Sequence, residues 1–335
     1  MPTAFLTGGT GFLGHHVARA LLAEGWSVRA LARENVRRRA DGLSQVSVER
    51  VGGDLSGGTD LARACAGCEA IVHVAGLVKA RRLQDYREVN VRGTARLVEA
   101  GRASAPKAMF VLVSSQAAAG PAREGRPVSE ADPPRPVSWY GISKREGEEI
   151  VERGWRGPWI ILRPGVLYGP ADRALLTYFR LAARGWVPVP ASGSRIQIGS
   201  AAQAALAIAR AAGRRDLAGR KGFVCDPDPV TVGMLAEAIA GLSARPARLL
   251  RVPGALVRLA GAAETLRELV TRRSRPFNAD KAREILAGEW LCDAGPMRRD
   301  LGLPPPVPLR AGLRETWEWY SRAGWLPSGV SSPER

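Results

Sequence analysis

Cysteine is scarce in this chain, with four in 335 residues. Cys65 and Cys68 form a Cys-x-x-Cys, but no second pair or nearby histidine completes a zinc site, and four thiols do not make a disulfide framework. They are read as small apolar side chains at the end of a helix, in a reducing compartment. Long apolar runs are also missing. No stretch reaches the length that spans a bilayer, and the N-terminus lacks a basic segment ahead of an apolar one, so neither a membrane span nor a leader is expected. Lysine is rare too. Of 49 basic residues only Lys79, Lys107, Lys144, Lys221 and Lys281 are lysines, yet the formal charge is +17. The arginines are scattered, apart from short clusters such as Arg37–Arg39 and Arg272-Arg273, and no stripe with interleaved aromatics marks a nucleic-acid surface. The charge is read as a solvated surface, with recruitment of an anionic cofactor or substrate as the alternative. A cytoplasmic protein that acts on a small molecule and binds no nucleic acid is expected.

What the chain does have is alternation of buried-strand and amphipathic-helix patterns. Strands are expected at 3–7, 27–32, 46–51, 70–74, 108–113 and 159–162. Near-continuous apolar runs such as Ala70-Ile71-Val72-His73-Val74 fit parallel strands covered on both faces. The order implies an α/β fold, a doubly wound parallel sheet. Residues 1–170 form the sheet-bearing domain, completed by about 196–225. Residues 171–195 and 226–330 form a smaller α/β region for substrate. In that region 185–200 reads as a mobile loop, and 231–241 and 255–270 as helices. The apolar stripe of the second helix (Leu256, Val257, Leu259, Leu266, Leu269) is read as core or pocket lining, with membrane-surface contact the minor alternative. Trp317, Trp319 and Tyr320 anchor a C-terminal helix.

Chemistry concentrates at two places. Gly8, Gly11 and Gly14 are spaced Gly-x-x-Gly-x-x-Gly between a strand and a helix. Glycine permits the tight turn and a close backbone approach, and the helix N-terminus beyond it favours a diphosphate. In this setting the pattern is that of a Rossmann dinucleotide site. After the second strand the position that usually carries an acidic residue for the ribose is Ala32, followed by Arg33, with Arg37–Arg39 nearby and Glu34 against. A guanidinium accepts a 2′-phosphate that a carboxylate would repel, so NADP(H) is expected over NAD(H). Asp54 and Leu55 close the third strand within reach of the adenine. The second place is Tyr140 and Lys144, four residues apart on one helical face, where an ammonium can lower the pKa of a phenol for proton transfer.

These segments together resemble the extended short-chain dehydrogenase/reductases, the NAD-dependent epimerase/dehydratase family. The resemblance rests on Thr-Gly-Gly-Thr-Gly-Phe-Leu-Gly at 7–14, Gly-Asp-Leu at 53–55, His-Val-Ala-Gly at 73–76, Asn-Val-Arg-Gly-Thr at 90–94, Val-Ser-Ser at 113–115, Tyr-Gly-Ile-Ser-Lys at 140–144 and Leu-Arg-Pro-Gly-Val-Leu-Tyr-Gly-Pro at 162–170. It implies Tyr140 as general acid/base, Lys144 as its modulator and a ribose ligand, Ser115 as the hydroxyl on the substrate oxygen with Ser114 its neighbour, and Asn90 beside the relay. It implies cofactor contacts from Gly8, Thr10, Gly11, Phe12, Leu13 and Gly14, from Val74, Ala75 and Gly76, from Ser114, Tyr140 and Lys144, and from Pro164 and Val166. Lys79, Gln116 and Arg195 are candidate substrate contacts, no metal is implied, and a homodimer through 83–103 and 144–153 is expected. Arg163-Pro164 resembles the reductase and 3β-hydroxysteroid-dehydrogenase-like branches, which act on apolar alcohols and ketones. The absence of an acidic pair beside Ser115 argues against a sugar 4,6-dehydratase. The expected activity is hydride transfer between NADP(H) and a hydroxyl or keto group of a fairly apolar molecule. A nucleotide-sugar epimerase is the alternative, and a non-catalytic dinucleotide sensor the third reading.

Overall fold

The computed structural model describes residues 1–33, 46–243, 247–272, 274, 275 and 277–326. Glu34, Arg37–Arg39 and Arg273 lie outside the described residues. Six strands, β1 (Thr3–Thr7), β2 (Ser27–Ala32), β3 (Glu49–Gly52), β4 (Ala70–His73), β5 (Met109–Val113) and β6 (Trp159–Pro164), join Arg220–Val224 in one seven-stranded sheet. From one edge the order is Arg220–Val224, β6, β5, β4, β1, β2, β3. All of its pairings are parallel. The order reverses between β1 and β4, so a crevice opens at the carboxyl ends of those two strands, where open α/β sheets bind ligands.

Side-chain alternation explains why both faces are covered. On one face Leu6, Val72, Val111 and Leu162 pack with Val17 and Leu21 of α1 (Phe12–Ala23) and with Ile208 of the helix Ala201–Ala211. On the other, Phe5, Ile71, Phe110 and Ile161 pack with Leu97 of the helix Gly93–Ser104 and with Val151 and Trp155, at the end of the helix Trp139–Gly154. Cys65 and Cys68 belong to this second layer. Burial pushes the Cys65 thiol up to about 12, which keeps it protonated and unreactive.

A third cluster, with Tyr168, Phe179, Val187, Leu235, Trp317 and Tyr320, forms the core of the C-terminal part. Trp317 and Tyr320 are buried, as expected of an anchoring helix, and the Tyr320 hydroxyl donates to the Asp172 carbonyl at 2.6 Å.

Three elements differ from expectation. Residues 185–200 are not a loop. Trp186–Pro190 pairs with Arg248–Val252, Arg195–Ile196 with Val230–Thr231, and Ile198–Ser200 with Val166–Tyr168. The third strand starts at Glu49 rather than at residue 46. The long helix expected over 83–103 is divided into Leu83–Arg87, a π-helical turn Glu88–Arg92, and Gly93–Ser104.

The reading of the apolar stripe at 255–270 is corrected only in part, since Leu256 and Val257 line an internal cleft. The helix is there, as Gly254–Thr271, and Val257 is buried, but Leu256, Leu259, Leu266 and Leu269 are 54%, 67%, 63% and 67% exposed. No helix among the described residues is long and apolar enough to cross a membrane.

Candidate active site

The glycine turn leaves β1 and enters α1 with no room for side chains. Gly8 has φ +76°, and a Cβ there would lie 2.5 Å from the Ala75 amide nitrogen. A Cβ on Gly14 would lie 1.9 Å from the Gly8 carbonyl oxygen. The Gly11 amide donates to that same carbonyl at 2.9 Å, which closes the turn. α1 then begins with no side-chain cap and no acidic residue in its first turn. Its free amides and the positive end of its dipole are left for an anion. These residues fit the diphosphate of a dinucleotide.

The turn borders a single cleft of about 2380 Å³, well above the 300–1,000 Å³ usual for one small ligand. Thr10, Phe12, Leu13, Val74, Ala75 and Gly76 line it near the turn, and Pro164 and Val166 line it beyond β6. Arg33 stands exposed at its margin. Asp54 and Leu55 also line it. The Asp54 carboxylate accepts from the Ser56 amide at 2.8 Å and the Ser56 hydroxyl at 2.5 Å. Those bonds hold its pKa below the ordinary value.

The helix Trp139–Gly154 carries the second motif. Ser138 caps it by accepting from the Gly141 amide at 3.1 Å. The Asp280 carboxylate, from the C-terminal part, accepts from the Trp139 amide at 2.9 Å. This pins the substrate-side region to the start of the helix and places a negative charge at its positive end. Tyr140, the second residue of the helix, faces the cleft together with Ser115. Burial pushes the Tyr140 phenol up to about 12, and the nearby Ser115 hydroxyl opposes the rise. Ser115 Oγ accepts from the Ala117 amide at 3.1 Å.

Lys144 is buried, and its Nζ donates to the Val113 carbonyl at 2.7 Å, at the end of β5. Burial lowers its pKa to about 8, against the opposing influence of Glu148. The influences on Tyr140 are burial, Ser115, Glu284 and Tyr86, while the ammonium is held on the Val113 carbonyl.

Asn90 does not line the cleft; it braces it. Its amide accepts from the Leu77 amide at 2.7 Å and donates to the Leu77 carbonyl at 3.0 Å and to Ser143 Oγ at 2.9 Å. It sits in the π turn, where one extra residue re-aims the side chain. A Cβ on Gly76 would lie 3.3 Å from Asn90 Oδ1 and 3.6 Å from Lys144 Nζ, so the two groups converge on the same backbone.

Behind this loop, Thr7 Oγ1 lies 2.7 Å from His73 Nδ1 and Thr94 Oγ1 lies 2.9 Å from His73 Nε2. Thr94 donates its proton to the Asn90 carbonyl at 2.7 Å, so it accepts from His73 Nε2–H. His73 Nδ1 then accepts from Thr7, and Thr7 accepts from the Ala75 amide at 3.3 Å. Burial lowers the His73 pKa to about 3 and keeps the ring neutral.

Ser114 lines the cleft, and its hydroxyl donates to Glu148 at 2.6 Å, inside a buried ion pair. Two sequence candidates lie elsewhere. Arg195 makes a two-point pair with Glu289, at 2.6 and 2.8 Å, and does not line the cleft. Lys79 is exposed and also off the lining. Gln116 does line the cleft; its Nε2 is buried without a partner and is free for a ligand.

Sequence reasoning missed several groups. His16 lines the cleft and bonds the Pro170 carbonyl at 3.0 Å, and burial lowers its pKa to about 4. Glu284 and Lys281, an ion pair 144 and 141 residues beyond Tyr140 in sequence, reach the cleft from the substrate side, and no local pattern marks them. Much of that side is apolar, with Leu167, Tyr178, Leu181, Val189, Leu235 and Val252, beside the polar Thr177, Ser194, Glu315 and Arg322.

Residues 4–197, the segment that holds the glycine turn, Ser115, Tyr140 and Lys144, match the model of the NAD dependent epimerase/dehydratase family. The chain belongs to this family. It is an extended short-chain dehydrogenase/reductase, an enzyme of a family that uses a nicotinamide dinucleotide. A ceramide reductase of Caulobacter vibrioides is 36% identical over 333 residues, covering 97% of this chain and 96% of that protein. A UDP-glucose 4-epimerase of Vibrio cholerae is 26% identical, covering 96% and 97%. Among solved structures, DesIV, a dTDP-glucose 4,6-dehydratase of Streptomyces venezuelae with NAD and TYD bound, superposes with a TM-score of 0.75 at 23% identity, covering 97% of this chain and 98% of that one. That likeness establishes the shared fold.

Proposed function

We propose that this enzyme reduces a ketone on a long-chain, largely apolar molecule, that it prefers NADPH to NADH, and that Ser115, Tyr140 and Lys144 manage the proton. The carrying observation is that Ser115 and Tyr140 line the same cleft as the glycine turn and a largely apolar chamber. The near-full-length similarity to a ceramide reductase supports a lipid-like substrate. Arg195, the arginine considered for a nucleotide-sugar diphosphate, is already paired with Glu289, which weighs against the epimerase alternative.

When bound, the nicotinamide supplies the hydride. The chain supplies the proton and the field. A phenol kept neutral by burial is an acid at neutral pH, and its proton passes to the carbonyl oxygen as negative charge develops there. The Ser115 hydroxyl is a second donor to the same oxygen. The Lys144 ammonium compensates the tyrosinate left behind. Gly8, Gly14 and the α1 amides would hold the diphosphate, and Arg33 a 2′-phosphate. The homodimer belongs to the same proposal. Its support is that the helices Gly93–Ser104 and Trp139–Gly154 flank a common surface groove.

NADPH consumption with a long-chain β-keto amide, compared with a UDP-sugar, tests the reaction. Turnover of the sugar without net cofactor consumption would overturn the substrate reading. For cofactor choice, Arg33→Ala is expected to lower the NADPH/NADH ratio of kcat/KM by about tenfold, the loss of one charge-assisted contact. An unchanged ratio removes Arg33 from the 2′-phosphate site.

The pH profile follows from Lys144. The ammonium is its acid form, with a folded pKa lowered to about 8. Its contribution is complete below that value and is lost as pH rises through it. Reductive kcat/KM should fall above about pH 8, and Lys144→Arg should move that fall to higher pH.

A further inference from the structure

The helix Gly254–Thr271 is built the wrong way round for water. Val257, Gly261 and Glu268 face the protein and are buried. On the opposite side stand Leu256, Leu259, Leu266, Leu269 and Val270, from 54% to 78% exposed. At 3.6 residues per turn these five fall in one arc of about 140°, along a helix about 27 Å long. Single exposed leucines need no explanation, but a full face of them does.

The charges around the face are positive. Arg258 and Arg267 border the arc on its two sides. Arg272 ends the helix, and Arg248 and Arg251 come from the strand leading into it. Arg267 pairs with Glu264, while Arg248, Arg251, Arg258 and Arg272 have no ion-pair partner among the described residues. The helix also reaches the cleft, since Leu256, Val257 and Ala260 line it. An apolar face edged by arginines, most of them unpaired, and continuous with a largely apolar chamber matches one kind of partner.

We infer that this face docks on a bilayer surface carrying anionic headgroups, with the helix lying in the interfacial plane and the cleft opening beside it. The leucines enter the acyl boundary and the arginines meet the headgroup phosphates. The docking stands whichever molecule is reduced, because its test reads membrane binding and not turnover.

The experiment is cosedimentation of the full chain with phosphatidylcholine vesicles, with and without phosphatidylglycerol. Binding is expected to the anionic vesicles and to weaken with salt. Leu259→Glu with Leu266→Glu should lower the partition coefficient by about tenfold or more, and Arg258→Glu with Arg272→Glu by about fivefold per arginine removed. Both pairs are exposed and outside the cleft lining, so unchanged thermal midpoints establish folding. Failure of the wild type to bind anionic vesicles overturns the inference. So does undiminished binding by the folded leucine variant. A fall in solution mass caused by that variant assigns the face to a second copy of the chain and overturns it as well.

Discussion

Replacing Tyr140 by Phe is expected to lower kcat/KM by about 10²- to 10⁴-fold, the range that positioned acid–base groups contribute. Dinucleotide affinity should stay unchanged. The ring keeps its packing, with the Tyr86 centroid 6.1 Å away, so only the hydroxyl is removed. Fluorescence titration with the dinucleotide and steady-state turnover separate the two effects. Ser115→Ala should cost less, because the phenol remains to protonate the oxygen. Full activity in Tyr140→Phe would sink the relay, and retained binding with no activity in any variant would favour the dinucleotide-sensor reading.

Replacing Glu148 by Ala is expected to destabilise the fold by about 3–5 kcal/mol, the cost of leaving a partner charge buried. Glu148 is fully buried, and Arg163 is 1% exposed. Arg163 donates to Glu148 through Nε at 2.8 Å and Nη2 at 2.7 Å, and its guanidinium lies 5.7 Å from the Phe223 ring centroid. Arg145 reaches the same carboxylate at 3.1 Å. Glu148→Leu combined with Arg163→Met should recover much of the loss, because an apolar pair leaves no orphaned charge. Urea unfolding checks both, and a loss below about 1 kcal/mol for Glu148→Ala would mean that water solvates Arg163.

Acid acts on the same region with a definite sign. Burial works to raise the Glu148 pKa, but Arg163, Ser114 and Arg145 outweigh it, and the net shift is below 4.5. Its contribution is present above that value and lost as pH falls through the folded pKa. His73 is lowered from 6.5 to about 3, so the unfolded chain takes up its proton first and stability declines below about pH 6.5.

Much of the sheet was legible because its constraints are local. Ala70–Val72 and Met109–Val113 are apolar at every pleat, and a glycine turn after the first strand has few other uses. The segment 185–200 was misread because its pairing partners lie far along the chain, at 230–231, 248–252 and 166–168. Glycine and proline there mark turns between short strands. The Glu148–Arg163 pair was hidden for a similar reason, since one charge sits on a helix and the other at the end of a strand. Periodicity found the helix at 254–271 but not its orientation. A stripe of leucines has the same spacing whether it faces a core or the outside, and the buried side of this helix is marked only by Val257, Gly261 and a buried glutamate.

The row of hydrogen bonds through His73 has one further consequence. Every proton in it points the same way, from the Ala75 amide through Thr7, then from the imidazole through Thr94 to the Asn90 carbonyl. Such a row admits no second arrangement of equal energy, because moving the ring proton from Nε2 to Nδ1 would set two donors against each other at Thr7 and two acceptors at Thr94. The loop that follows β4 and the helix that starts at Gly93 therefore have a single register. The floor of the cleft between them is specified by polarity, in a part of the molecule where interlocking shape alone would tolerate a slip.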